Sequence, residues 1–372
     1  MDFKYRADQV GSFLRPEALL VAREDPDLSP VLLKAIEDQH ILQVLARQKD
    51  LGLEIFTDGE FRRSGFMGDF YDSIEGLDTG GTVDRKWKKG EGGDGKKAAA
   101  AIPLLGVVVE PIKQTKRLAK DELDFLKLHS PGDIKMTLPT ANQFPAIMYK
   151  KGISESAYPT YSDFLWDIVP IFKSEIESLV SEGVSYVQID APRYTYYIDP
   201  KWRRYVKDEM GVDPDQALDE AIRVDNACLE GARKAGVTLA IHLCRGNNRS
   251  QWYAEGGYDP IAEKLFNELK VDVFLLEYES ERSGTFEPLR FVPDDKVVVL
   301  GLLSSKLPEL ESSEQIVRRI EEASQYLPLE NLALSTQCGF ASMKEGNLLT
   351  EDEQWKKVAR VVDTARHVWK EA

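Results

Sequence analysis

The chain has few of the residues that would support a secreted or membrane-bound protein. It contains only three cysteines among 372 residues, a small and odd number that argues against a disulfide framework. No stretch approaches the roughly 18 uninterrupted apolar residues that a membrane-spanning helix needs. The N-terminus also lacks the apolar core of a secretion signal. We therefore expect a cytoplasmic protein with no membrane partner.

Positive charge is also scarce relative to negative charge. The 48 lysines and arginines face 63 aspartates and glutamates, which gives a net charge of −15. Such a surface repels phosphate on average, so we expect no nucleic-acid partner, although a local basic patch remains compatible with these numbers. With 42% apolar and 30% charged residues, the composition is that of a globular protein.

Strand-like and helix-like segments alternate along the chain. Some strand-like runs, such as 271–277 and 296–303, are almost continuously apolar, as in strands buried on both faces. The pattern predicts an α/β fold, a single (β/α)8 TIM barrel that forms one catalytic domain over residues 1–372. The eight predicted strands are 5–12, 54–59, 133–138, 184–190, 238–244, 271–277, 296–302 and 332–338. The predicted helices are 30–51, 161–182, 215–235, 260–269, 313–327 and 351–371.

One segment interrupts this alternation between the second and third predicted strands. Residues 79–97 are rich in glycine and lysine, and residues 98–111 form an extended apolar piece compatible with a hairpin. We predict an inserted loop or hairpin at 75–130 over the barrel mouth. Its role stays open between a substrate lid, a contact in a homo-oligomer and a solvated loop.

His242 and Cys244 carry the strongest chemical signal. They end the apolar run 238–244, and side chains two apart on a strand point to the same face. Thiolate and imidazole are preferred ligands of Zn²⁺, and Cys338, at the end of the last predicted strand, could supply another. The alternative is a core histidine with buried cysteines, which is the ordinary interpretation of Cys228 in its helical segment.

Glu277 ends the sixth predicted strand and would complete a tetrahedral set with His242, Cys244 and Cys338. The alternative for Glu277 is a solvated carboxylate at a strand end. Two thiolates and a carboxylate make the metal a poor activator of water. Such a centre favours instead the binding of a substrate thiol and the lowering of its pKa. The sequence therefore predicts a zinc cofactor and sulfur alkylation.

Two further carboxylates stand at predicted strand ends without a metal role. Asp190 and Glu60, together with Ser12, could hold the ammonium and carboxylate groups of an amino-acid thiol. The alternatives are that Asp190 caps its strand and pairs with Arg193, and that Glu60 forms a surface ion pair with the arginines that follow it, which would be of little energetic worth.

Taken together, these residues resemble the catalytic C-terminal barrel of cobalamin-independent methionine synthase and its short single-barrel relatives. The resemblance covers essentially the whole chain. It implies that His242, Cys244, Glu277 and Cys338 are zinc ligands. It also implies that Ser12, Glu60 and Asp190 bind homocysteine, with Glu60 and Asp190 as the catalytic carboxylates. The matching motifs are residues 10–13, 58–60, 188–190, 242–244, 272–277 and 338–339.

Some positions depart from the family pattern. The folate-binding N-terminal barrel is not present, residues 302–304 lack the family's histidine, and residues 136–142 lack its tryptophan. The leading prediction is therefore a zinc-dependent methyltransferase that converts homocysteine to methionine with a donor other than folate polyglutamate, such as a corrinoid, its carrier protein or a sulfonium. One alternative is a zinc-dependent alkyltransferase on another thiol, like the epoxyalkane:coenzyme M transferases. A second is a non-catalytic, zinc-stabilised binding protein.

Overall fold

Seven strands form one parallel sheet in the part of the chain that this computed structural model describes, residues 3–78 and 106–369. With two strands of a separate small sheet, the strands of the described residues are β1 Ile55–Phe56, β2 Ile74–Asp78, β3 Val107–Gln114, β4 Asp133–Pro139, β5 Tyr186–Asp190, β6 Thr238–Leu243, β7 Val273–Glu277, β8 Val297–Leu303 and β9 Leu332–Thr336. The order in the seven-stranded sheet is β1-β4-β5-β6-β7-β8-β9, and β2 pairs with β3. The helices are α1 Glu17–Glu24, α2 Pro30–Leu51, α3 Gly68–Tyr71, α4 Lys120–His129, α5 Pro145–Met148, α6 Tyr161–Ser181, α7 Pro200–Asp208, α8 Pro214–Leu229, α9 Ala262–Glu268, α10 Ser313–Ala323 and α11 Glu351–Val368.

Local sequence signals set the ends of the long helices. Helix α2 begins after Ser29, whose side chain accepts a hydrogen bond from the Leu32 amide, and it ends at Gly52 in the left-handed conformation. Helices α6 and α11 begin with capping boxes, in which a threonine and an acidic residue three positions later bond each other's backbone amides. These helices therefore start close to where the sequence predicts.

The strand register brings the polar strand ends to one edge of the sheet. Asp190 lies opposite His242 on the neighbouring strand, and Glu277 lies opposite Gly301. Because all seven strands are parallel, their carboxyl ends meet at this edge. The parallel topology therefore brings the predicted site residues Asp190, His242 and Glu277 to the same edge of the sheet.

The prediction of eight strands is wrong for the first one within the described residues. Segment 5–12 is not a strand of the sheet; it makes a single parallel bridge, Ala7 to Leu334 on β9. The Asp8 amide donates to the Leu334 carbonyl at 2.9 Å, and the Phe13 amide donates to the Gly59 carbonyl at 3.1 Å. The segment therefore contacts β9 and the residues that follow β1, but it makes too few backbone hydrogen bonds with either to count as a strand.

Two antiparallel strands, β2 and β3, lie in the chain between β1 and β4. Residues 79–105, which connect them, lie outside the described residues, and so does the whole predicted glycine- and lysine-rich loop at 79–97. The range 75–130 also contains α4, which precedes β4 as a crossover helix would.

None of the helices in the described residues is long and apolar enough to cross a membrane.

Candidate metal centre and adjoining cleft

Three predicted metal ligands meet at the carboxyl edge of the sheet. His242 lies on β6, Cys244 follows that strand directly, and Cys338 follows β9. One nitrogen or sulfur atom from each residue lies within 4.8 Å of the other two, and all three side chains are buried. Neither ring nitrogen of His242 has a nitrogen or oxygen hydrogen-bond partner among the described residues. A buried imidazole beside two thiols is the donor set that Zn²⁺ prefers.

The three side chains influence one another's protonation strongly. The hydrogen bond from Cys244, together with contact with His242, holds the pKa of the Cys338 thiol well below its usual value despite burial. The same Cys338 contact, with burial, raises the pKa of Cys244. Burial opposes charge on His242, but contact with Cys338 raises its pKa. The thiolate form of Cys338 is therefore favoured, whereas Cys244 and His242 hold protons that a bound metal cation would displace.

Glu277, the fourth predicted ligand, does not belong to the group of atoms within 4.8 Å. Its side chain is fully buried, and both oxygens are engaged. Oε2 accepts a hydrogen bond from the Arg245 amide at 2.8 Å, and Oε1 accepts one from Arg282 Nε at 3.1 Å. Although burial opposes ionisation, Arg282 and Arg245 lower the pKa of Glu277 to about 2. The alternative of a solvated carboxylate is therefore wrong, and Glu277 is an ionised, paired side chain.

A cleft of about 670 Å³, including its part open to solvent, adjoins the three ligands. Six of the seven predicted site residues line it, and Glu277 is the exception. These six are Ser12, Glu60, Asp190, His242, Cys244 and Cys338. The structure thus places the candidate metal centre and the candidate substrate-binding residues around one space.

Glu60 is held rigidly in this cleft, with φ of 60°. Its Oε1 accepts a hydrogen bond from Thr137 Oγ1 at 2.9 Å, and Arg15 donates to its carbonyl at 2.7 Å. A Cβ at position 11 would lie 2.8 Å from Oε1, so Gly11 leaves the space that this carboxylate uses. Burial raises the pKa of Glu60, with Arg63 opposing, and Oε2 has no hydrogen-bond partner among the described residues. The predicted ion pair with a following arginine is present, since Arg63 Nη1 lies 4.0 Å from Oε1, but its predicted surface position is wrong because both side chains are buried.

Asp190 ends β5 and is also buried. Its Oδ1 accepts a hydrogen bond from Gln188 Nε2 at 2.8 Å. Burial, with a contribution from Glu60, raises the pKa of Asp190 to about 7, while His242 opposes this rise. A cationic ligand group beside Asp190 would therefore stabilise the ionised form of this carboxylate.

The predicted alternative in which Asp190 pairs with Arg193 is not what the structure shows. Arg193 donates from Nη1 to the Tyr196 hydroxyl, and its guanidinium stacks 4.6 Å from the centre of that ring. The charge on Asp190 is therefore not offset by this arginine.

Ser12 is tied to the loop that follows Cys338. Its Oγ accepts a hydrogen bond from the Ala341 amide at 3.2 Å, and its carbonyl accepts one from the Phe340 amide at 2.9 Å. A Cβ at Gly339 would lie 2.1 Å from Ser12 Oγ, so only glycine permits this approach. A serine hydroxyl that accepts a bond keeps its own hydrogen available for a ligand.

Two amide side chains of the cleft were not predicted from the sequence as site residues. Gln143 and Asn247 line it, and the side-chain carbonyl oxygen of each has no hydrogen-bond partner within residues 3–78 and 106–369. Both follow strands that end at the site, and this position was the available signal. Phe66, Met67 and Tyr253 contribute an apolar wall. Three side chains of the lining, Glu60, Gln143 and Asn247, thus offer an acceptor oxygen that a hydrogen-bond donor of a ligand could use.

Known proteins match this chain along most of its length. The family model for the catalytic domain of cobalamin-independent synthase matches residues 153–366. The uncharacterized protein YxjG of Bacillus subtilis is 36% identical, over 98% of this chain and 95% of its own. A methionine synthase of Saccharolobus solfataricus is 24% identical, over 97% and 94% respectively. The structure of a candidate vitamin-B12-independent methionine synthase from Listeria monocytogenes superposes with a TM-score of 0.70, at 28% identity, and covers 98% of both chains.

Proposed function

The chain belongs to the cobalamin-independent methionine synthase family, and from that premise we propose that it is a zinc-dependent methyltransferase with homocysteine as its acceptor and methionine as its product. The observation that carries the proposal is the buried group of His242, Cys244 and Cys338 on the wall of a cleft that also holds two carboxylates. That combination fits a ligand with a thiol at one end and an ammonium group at the other.

In this proposal His242, Cys244 and Cys338 hold Zn²⁺, and Glu277 is the fourth ligand. Bound zinc lowers the pKa of a substrate thiol, so that a nucleophilic thiolate exists at neutral pH. The protein's own part is to fix the three donors within 4.8 Å of one another and to exclude water around them.

The carboxylates of Glu60 and Asp190 bind the substrate ammonium group in this proposal. Glu60 Oε2 has no hydrogen-bond partner among the described residues, and Asp190 has a pKa near 7 chiefly because it is buried. An ammonium group would satisfy the first and stabilise the ionised form of the second. The Ser12 hydroxyl, whose oxygen already accepts a bond from Ala341, would donate its hydrogen to the substrate carboxylate.

The cleft favours an amine-bearing thiol over a sulfonate such as coenzyme M. None of the described residues that line it is a lysine or an arginine. Arg15 donates to backbone carbonyls of the Glu60 loop, and Arg193 stacks on Tyr196. A sulfonate would therefore meet two carboxylates and no cation of the described wall, which is unfavourable.

We propose further that residues 5–12 take the place of the eighth strand and close the barrel between β9 and β1. Their support is the bridge from Ala7 to β9 and the hydrogen bond from Thr57 Oγ1, just after β1, to the Gly11 carbonyl at 2.9 Å. This arrangement would make the chain a single catalytic domain.

Metal content tests the core of the proposal. Elemental analysis of the purified protein should find about one zinc per chain, lost in Cys338→Ser and retained in the matched control Cys228→Ser. Cys228 is a suitable control because it is buried on α8, away from the cleft. Stoichiometric zinc in Cys338→Ser would remove Cys338 from the site.

X-ray absorption at the zinc edge then tests the substrate. Sulfur ligation should rise on addition of L-homocysteine and not on addition of coenzyme M. No coordination by any thiol would favour a zinc-stabilised binding protein instead.

A further inference from the structure

Glu277, which is not among the three residues grouped within 4.8 Å, forms a buried ion pair with Arg282. The Arg282 Nε lies 3.1 Å and one terminal nitrogen 2.5 Å from Glu277 Oε1. The remaining oxygen, Oε2, is fixed by the Arg245 amide at 2.8 Å. The two Arg282 donors take both lone pairs of Oε1, so this oxygen can ligate a metal only if at least one of these two hydrogen bonds is lost.

Arg282 has other partners that would remain if Glu277 moved. It forms an ion pair with Glu279, which is also largely buried, and its guanidinium stacks 4.4 Å from the centre of the Trp252 ring. Its side chain is only 11% exposed. Loss of Glu277 would therefore not leave a buried, unpaired cation, whose cost would otherwise prevent the movement.

Arg282 has two carboxylate partners, so Glu277 could leave it without removing its last ion pair. In the structure Glu277 pairs with Arg282; as a metal ligand it would leave Arg282 paired with Glu279. Two thiolates already neutralise a dication formally, so a third anionic ligand adds little and is readily exchanged. Resting on the proposed function, we propose that Arg282 is a positioning residue that competes with the metal for Glu277 and thereby keeps one coordination position open to the substrate thiol.

Two substitutions should change zinc affinity in opposite directions. Arg282→Met removes the competitor, so Glu277 stays on the metal; Zn²⁺ should bind about tenfold more tightly, and homocysteine should need a higher concentration to enter. Glu279→Gln removes the other carboxylate that Arg282 binds. The arginine then holds Glu277 more firmly, and Zn²⁺ affinity should fall several-fold.

The measurement is chelator competition for Zn²⁺ on the full chain without thiol, followed by sulfur ligation against homocysteine concentration. Arg290→Met is the matched control, because Arg290 is exposed and pairs only loosely, at 3.9 Å, with Glu287. It should leave both quantities unchanged. Arg282→Lys keeps the charge with fewer donors and should fall between wild type and Arg282→Met.

The outcomes separate this inference from the proposed function. If Arg282→Met and Glu279→Gln both weaken Zn²⁺ binding, or neither changes it, Arg282 is only a structural residue and the inference is overturned, while the zinc site stands. Should Arg282→Met fail to fold, the direction of the Glu279→Gln and Arg282→Lys effects decides the question. A wild-type protein without zinc overturns the proposed function and this inference together.

Discussion

At the scale of single residues, the two carboxylates of the cleft decide which thiols can bind. We predict that Asp190→Asn weakens L-homocysteine binding about 10- to 100-fold, because a charge-assisted hydrogen bond contributes about 1.5–3 kcal/mol. Binding of 4-mercaptobutyrate, which has the same carboxylate and thiol but no ammonium group, should change little. Isothermal titration of the zinc-loaded protein with both thiols measures the difference. Equal losses for the two thiols would assign Asp190 a role other than ammonium binding.

The contact between Gly339 and Ser12 gives a second prediction at this scale. A Cβ at position 339 would lie 2.1 Å from Ser12 Oγ, so Gly339→Ala must displace the serine. We expect a destabilisation of about 1–3 kcal/mol by overpacking, together with weaker homocysteine binding. The double variant Ser12→Ala/Gly339→Ala should regain stability in urea denaturation but not affinity. Recovery of both would show that Ser12 does not contact the substrate.

At the scale of elements, segment 5–12 is attached to the sheet by a buried ion pair rather than by a strand ladder. Asp8 Oδ1 lies 2.8 Å from Lys135 Nζ on β4, and both side chains have no exposed surface. We predict that Lys135→Met lowers the free energy of unfolding by about 3–5 kcal/mol, because the buried Asp8 carboxylate keeps its hydrogen bonds from Gln9 and Tyr186 but loses its cation. Urea denaturation measures this change.

An exposed pair from the same part of the chain supplies the control for that experiment. Lys4 pairs with Asp133 at the surface, so Lys4→Met should cost less than about 1 kcal/mol. The neutral double variant Asp8→Asn/Lys135→Met should recover most of the loss. Equal effects of Lys4→Met and Lys135→Met would contradict the buried-pair argument.

The elements also show what sequence patterns can and cannot predict here. Helix α2 was predicted with the bounds that the structure has, because a serine cap and a glycine stop mark its ends locally. Segment 5–12 was predicted as a strand, since its apolar pattern does not reveal how few ladder bonds it makes. Gln143 and Asn247 were missed because a polar residue after a strand resembles an ordinary turn residue.

Glu277 illustrates the same limit within the site. Its strand-end position correctly predicted a buried carboxylate at the carboxyl edge of the sheet. The sequence did not predict that Arg282, five residues later in an irregular segment, would hold it. The contacts of loop residues depend on the whole fold, and local sequence patterns do not indicate them.

At the scale of the whole molecule, few groups near the candidate metal centre could act as a general acid, and this bears on the methyl donor. Of the four histidines in the sequence, His40, His129 and His367 lie on α2, α4 and α11, and His242 is the one that lines the cleft. By resemblance to the family, a strand-end histidine is expected at residues 302–304, which in this chain are two leucines and a serine. Glu60 and Asp190 are already assigned to the substrate ammonium group in the proposed function.

We therefore predict little or no turnover of homocysteine with methyltetrahydrofolate polyglutamate. Its nitrogen is a poor leaving group that needs a proton, and a positioned acid typically contributes about 10²–10⁴-fold to such a step. A donor with a better leaving group, such as a sulfonium, does not need that acid; the match to a cobalamin-independent family gives a corrinoid donor or carrier no support. The assay supplies L-homocysteine with each donor in turn and measures methionine, with Cys338→Ser as the inactive control. Efficient turnover with the folate donor would contradict this prediction and would require an acid other than the groups assigned here.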